Sequence, residues 1–170
     1  MFYRSKWITA ISIAFGLVMF NLVAQAEQPL DITDYFYATS TVWPANPELT
    51  IFQTDAKGFV RDNLENKIFD NLTSHCLRLA RISAGKLTGT IFTKFTDSDG
   101  DFFITEFTSD AVPAAAAEST WKFLYGTGKW KGITGGGKSE FLFMTLGRQQ
   151  MSPTTFQGYL RMTGTFELKK

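Results

Sequence analysis

The sequence predicts an all-β domain, a single antiparallel barrel of about eight strands behind a secretory leader. Three observations point there: a 13-residue period-two run at the C-terminus, Gly- and Asp-rich turns between shorter alternating stretches, and very little helix-compatible sequence. With 170 residues the chain has room for one domain plus an appendage.

The appendage comes first. Met1 to Lys6 carries Arg4 and Lys6 without an acid, Trp7 to Ala24 is almost uninterrupted apolar sequence, and Ala24-Gln25-Ala26 offers small side chains to a signal peptidase. Cleavage after Ala26 is therefore expected, giving domain limits of 1–26 for the signal peptide and 27–170 for the barrel. The competing reading is a retained anchor, since 18 residues at about 1.5 Å each nearly cross a hydrocarbon layer of about 30 Å. Asn21 interrupts the run and the small-x-small site favours removal. The expected location is periplasmic or secreted, with no membrane attachment after cleavage.

Cleavage removes two cations and leaves 15 basic and 16 acidic groups. Such a balance provides no extended surface for nucleic acid or an anionic membrane. The single Cys76 excludes an intramolecular disulfide and reads as a small buried hydrophobe.

Along the mature chain, strands are expected at Tyr35 to Val42, Leu49 to Thr54 and Thr73 to Ile82. Between the last two, Asp62 to Asp70 has the pattern of a helical turn or two around Leu64, Ile68 and Phe69. Leu87, Gly89, Ile91, Thr93 and Phe95 alternate against Lys86, Thr88, Thr90, Phe92 and Lys94; Asp97-Ser98-Asp99-Gly100 then turns the chain into Phe102 to Thr108 as a hairpin. Pro113 with Ala114 to Ala117 is the other helix-compatible stretch. Further strands follow at Thr120 to Tyr125, Trp130 to Thr134 and Glu140 to Thr145. In the final strand Phe156, Gly158, Leu160, Met162, Gly164, Phe166 and Leu168 share the inner face. A strand this long coils, and closure into a barrel, unlike a sandwich, leaves no exposed edge.

Two segments imitate ligand loops. Gly132-Ile133-Thr134-Gly135-Gly136-Gly137-Lys138-Ser139 satisfies the phosphate-loop pattern G-x-x-x-x-G-K-S/T, but that loop needs a helix whose N-terminal amides face the phosphates, and Glu140 to Thr145 reads as strand. The glycines are assigned to turns and bulges, and no nucleotide partner is expected. Asp97, Asp99 and Gly100 fit the third, fifth and sixth positions of a calcium loop with Glu106 at the twelfth, but Phe95 takes the first, so a hairpin turn is expected and no metal.

His75 is the only histidine, and no G-x-S-x-G elbow accompanies it. It reads as a hydrogen-bonded structural residue, or, turned inward beside Arg78 or Arg81, as a group orienting a ligand. The candidate catalytic side chains are His75, Glu106 and Tyr125; the candidate ligand contacts are Arg78, Arg81 and Trp121.

Gly126-Thr127-Gly128-Lys129-Trp130-x-Gly132-Ile133-Thr134-Gly135-x-Gly137, preceded by His75-Cys76 and by Asp97-Ser98-Asp99-Gly100-Asp101, resembles a G-T-G-K-F/Y/W-x-G-I/A-x-G-x-G signature of allene-oxide-cyclase-like and dirigent-like barrels and exported bacterial proteins near them. The resemblance implies an eight-stranded antiparallel barrel, cofactor-free, often a homo-oligomer, with an apolar cavity. It also implies a second cysteine on the strand after Cys76, where this chain has Thr93. Two functions are expected from residues and resemblance together: an exported barrel holding a small hydrophobic molecule, or a cofactor-independent isomerase or cyclase that folds a flexible substrate into its reactive shape. A solid barrel with a structural or partner-binding role is the third.

Overall fold

The structure, a computed structural model, describes residues 26–113, 118–141, 149–152 and 154–169. The leader up to residue 25, the alanine run 114–117 and residues 142–145 of the strand expected over Glu140 to Thr145 lie outside the described residues.

Nine strands follow in sequence: β1 (Gln28–Asn46), β2 (Leu49–Asp62), β3 (Thr73–Ser83), β4 (Lys86–Thr96), β5 (Phe102–Pro113), β6 (Glu118–Gly126), β7 (Thr134–Phe141), β8 (Gln149–Ser152) and β9 (Thr155–Glu167). Each of β1 to β6 pairs antiparallel with the next, β6 pairs with β7 and β7 with β9. The sheet closes through β1 and β9, in register from Gln28↔Phe166 to Thr39↔Thr155. β8 lies on the β7 side of β9, against Thr155 to Gln157, while β7 covers Leu160 to Glu167. β7 and β8 therefore share one position, and the barrel has the eight staves expected from the sequence.

Alternation places the inner side chains. Ile32, Val60, Phe95, Phe103, Met162 and Phe166 are buried and pack as one core. That core fills one end of the barrel. Phe69, from the β2–β3 connection, stacks on Trp130 with ring centroids 5.3 Å apart and meets Phe166 edge-on at 4.8 Å. Edge-to-face and offset contacts of this kind add to the area each ring buries.

Residues 63–72 form turns instead of the expected helical segment. The Asp62 carboxylate accepts the amides of Leu64 and Phe69, both at 2.9 Å, so these donors point at a side chain and not at carbonyls one turn back. Asn71 N bonds Val60 O and Val60 N bonds Leu72 O, folding the connection back over the barrel end with Phe69 as its plug.

The strand expected over Trp130 to Thr134 is likewise replaced. Gly128–Trp130 is a 3-10 turn, and β7 begins only at Thr134. Two contacts fix this. The Asp101 carboxylate occupies the place a Cβ would take at Gly128, whose φ is +46°, and Trp130 Nε1 donates to Asp97 Oδ2 at 2.9 Å. Asp97 Oδ1 accepts the amides of Asp99 and Asp101, and Oδ2 also accepts Lys129 Nζ at 2.9 Å. Burial opposes ionisation of Asp97, but the hydrogen bonds from Lys129 and Trp130 outweigh it and hold the carboxyl below its ordinary value. The acidic hairpin turn is thus a clasp for the indole. Glu106, the twelfth residue of the calcium pattern, stands on the outer wall paired with Lys122 at 2.8 Å.

Lys138 of the phosphate-loop pattern lies inside β7, paired with Thr120 and Thr163, and the residues after it continue the strand. The triplet of glycines lets β7 press between its neighbours: a Cβ on Gly137 would overlap the Thr163 carbonyl, and one on Gly136 the Trp121 carbonyl.

Candidate functional site

Beyond Ile32 the inner face changes character. Asp34, Phe36 and Ala38 on β1, Thr54 and Ala56 on β2, Ser74, Cys76 and Arg78 on β3, and Thr93 on β4 surround a recess completed by Ile91, Phe107, Phe141, Phe156 and Leu160. Small and hydroxyl-bearing side chains share this wall with the rings of Phe36, Phe107, Phe141 and Phe156. The space left is about 40 Å³, enough for a few water molecules.

Asp34 sits in its wall with 4% of its surface exposed. Ser74 Oγ donates to Asp34 Oδ1 at 2.7 Å across β2, and Gly58 between them makes the contact possible: a Cβ there would come within 2.7 Å of Asp34 Oδ1 and 2.8 Å of Ser74 Oγ. Burial pushes the Asp34 carboxyl up from 3.8 to about 7, although the Ser74 hydrogen bond works in the other direction. A carboxyl that exchanges its proton near neutrality, in the wall of a buried recess, is equipped for acid–base work or for donating to a polar atom of a ligand.

Cys76 lies beside it on β3. Burial pushes its thiol up to about 12, which leaves it a poor nucleophile. Its register partner on β4 is Thr93, the position the family resemblance marks for a second cysteine. Arg78 is farther from the Phe69 end, its guanidinium carbon 4.9 Å from the Phe52 ring centre and 5.6 Å from that of Phe141. A guanidinium held between rings in this way brings its positive charge to the wall of the recess.

The residues expected from sequence part company here. Arg78 lines the recess. His75 and Arg81 have the opposite parity on β3 and face outward, His75 Nε2 lying 3.2 Å from Asp55 Oδ1. Glu106 and Tyr125 are also on the outer wall, Tyr125 largely exposed. Trp121 is inward but belongs to the packed core, its Nε1 donating to the carbonyls of Lys138 at 3.0 Å and Thr163 at 3.2 Å. Asp34, Ser74 and Thr54 were not among the expected residues. Asp34 had a signal: in Leu30, Ile32, Asp34, Phe36, Ala38 it is the one carboxylate in a period-two apolar series. Among the described residues no group of three or more His, Cys, Asp and Glu side chains is placed to hold a metal ion.

No family model matches the chain, and no curated protein matches it. Among solved structures it is similar to the pterocarpan synthase dirigent protein GePTS1, with a TM-score of 0.49 and 13% identity over 85% of this chain and 93% of that one. It is also similar to the pterocarpan synthase dirigent protein PsPTS1, with a TM-score of 0.49 and 11% identity over 85% of this chain and 97% of that one. Both are dirigent proteins. The closed eight-stave antiparallel barrel of this chain is the architecture that the Gly126 to Gly137 segment led one to expect.

Proposed function

We propose that the barrel holds a small, mostly apolar molecule in the recess at its less densely packed end, with Asp34 and Arg78 gripping polar atoms of that molecule. The observation that supports this most is the recess itself, a space left between phenylalanine rings and a wall of alanine, serine, threonine and the buried Asp34 carboxyl, while Phe69, Trp130 and Phe166 fill the other end. Ligand sites are concave, largely apolar and furnished with a few convergent polar groups. The resting space of about 40 Å³ admits only the smallest molecules, so a larger ligand enters by turning aside the rings of Phe36, Phe141 and Phe156.

Asp34 favours a second reading, a cofactor-independent isomerase or cyclase. A carboxyl titrating at about 7 both gives and takes a proton at physiological pH, which proton relocation on a bound apolar substrate requires. In either reading the mature chain begins after Ala26 and works outside the cytoplasm, which N-terminal sequencing of the exported protein tests.

Solvent extraction of the purified protein with mass spectrometry, together with titration of an environment-sensitive apolar dye, tests the site. Wild type binds, and Ala56→Leu, which fills the recess while near-ultraviolet circular dichroism shows intact packing, does not. Equal dye affinity in the two proteins refutes the recess as the site.

A further inference from the structure

The outer wall carries a separate recess across β2, β1 and β9. Register pairs Tyr35 with Phe59 on one side and Tyr159 on the other, and pairs Tyr37 with Lys57 and Gln157. Between these two rows Phe36 pairs with Gly58 and Gly158, and all three have inward parity, so the floor is bare backbone. The result is a slot of about 520 Å³. One wall is aromatic: Tyr35 lies 5.3 Å from Phe59, nearly parallel, and 5.7 Å from Tyr159. The other wall mixes the Tyr37 ring with an ammonium and an amide.

These side chains are costly to leave in water. Tyr35 is 41% exposed, Tyr37 50% and Phe59 53%. The stack between Tyr35 and Phe59 accounts for two of them as a cross-strand pair that steadies the sheet. It does not account for Tyr37, which has no ring contact among the described residues, or for Lys57, which has no ion pair among them.

We propose that this slot binds an acidic polysaccharide, with one uronic-acid residue seated between the two walls. A pyranose ring has C–H faces and a hydroxyl rim; a tyrosine has an apolar body and a polar tip, and the slot presents several in one cleft. Lys57 supplies the partner for a sugar carboxylate, and no Asp or Glu lines the slot to repel it. A lipid chain would instead choose the uninterrupted apolar stripe of Leu77, Leu79 and Phe92, which lies on β3 and β4. The near-neutral charge of the mature chain argues against a broad polyanion surface, but one ammonium in one slot suffices for one carboxylate at a time.

Calorimetry at low ionic strength with polygalacturonate tests this, with cello-oligosaccharide, polyglutamate and single-stranded DNA as comparisons. Wild type binds polygalacturonate in preference to the other three. Tyr37→Ala weakens that binding by about tenfold or more, the scale of losing one stacked aromatic, while Tyr37→Phe largely retains it. Lys57→Gln reduces polygalacturonate affinity to the level of the neutral sugar. Both positions are exposed, so the variants should melt within a few degrees of wild type, and any that does not is replaced by Tyr37→Leu or Lys57→Met, which remove the same ring or the same charge and should weaken binding as well. No binding at millimolar sugar, equal binding of polyglutamate or DNA, or undiminished affinity in the folded variants overturns the proposal.

Discussion

Replacing Asp34 with Asn tests the electrostatics of the lumen directly. The amide keeps an acceptor for Ser74 and imitates the protonated carboxyl without titrating. In the folded protein Asp34 holds its proton up to about pH 7, against 3.8 for the free group. Below about pH 4 both folded and unfolded chains carry that proton, and Asp34 adds no pH dependence. Between about pH 4 and 7 the unfolded chain has lost it and the folded chain has not, so stability falls as pH rises. A difference of about three units corresponds to roughly 4 kcal/mol across that window. Asp34→Asn should therefore gain on wild type by a few kcal/mol between pH 4.5 and 8, with little difference below pH 4. Urea unfolding followed by tryptophan fluorescence at several pH values measures this. Asp31, held low by its hydrogen bond from Arg161, and Asp97 give the opposite slope in both proteins and cancel in the difference. Parallel stability curves for wild type and variant would refute the assignment of a buried, near-neutral carboxyl.

Three further outcomes follow from the packing. Thr93→Cys places a second thiol opposite Cys76, so oxidation should bring the thiol count to zero with a stability gain of up to about 3 kcal/mol; two free thiols after oxidation contradict the register. Asp97→Asn removes the charge that holds Lys129 and weakens the bond to Trp130, and should cost about 1–3 kcal/mol near neutral pH. That loss should shrink as pH falls through the lowered folded pKa of Asp97, and a cost independent of pH in thermal melts counts against the clasp. Gly58→Ala drives a Cβ into the Tyr35 carbonyl as well as against Asp34 and Ser74 and should destabilise by about 1–3 kcal/mol, a loss that Ser74→Gly in the same chain leaves largely in place because the backbone overlap remains; equal melting temperatures for Gly58→Ala and wild type would show the strand contact to be loose.

The barrel was legible because alternation is a local property that closure preserves. Phe156 to Leu168 and Leu87 to Phe95 showed their inner faces in the letters alone, and burial agrees with both. Misreadings came where a side chain captures backbone donors. Asp62 takes the amides of Leu64 and Phe69, and Asp97 takes the Trp130 indole across 33 residues, so apolar residues that scan as helix or strand become plugs. No periodicity records a bond between positions so far apart. The glycine-rich segment was legible in the negative sense: its glycines serve close strand approach, which the phosphate-loop pattern shares only by spelling.

The site was harder to see for a different reason. On β3, Leu77 and Leu79 suggest an inner face, yet they are exposed while Ser74, Cys76 and Arg78 point inward. Hydrophobicity fails as a guide wherever a barrel keeps polar groups inside and apolar ones outside, and both departures occur on this strand. Parity alone separates His75 from Arg78, because neighbours three apart on a strand face opposite ways, so the two were never able to share the lumen. Parity likewise places Asp34 of β1 in the lumen. A carboxyl in step with Leu30, Ile32 and Phe36 must be buried if they are, and the barrel tolerates the cost because Ser74 donates to it and, below about pH 7, the proton stays on. Buried carboxyls are kept where their polarity is used: at the opposite end of the barrel, where Phe69, Phe95 and Phe103 pack together, the Asp62 carboxylate is taken up by the amides of Leu64 and Phe69, whereas Asp34 meets one hydroxyl and faces the recess.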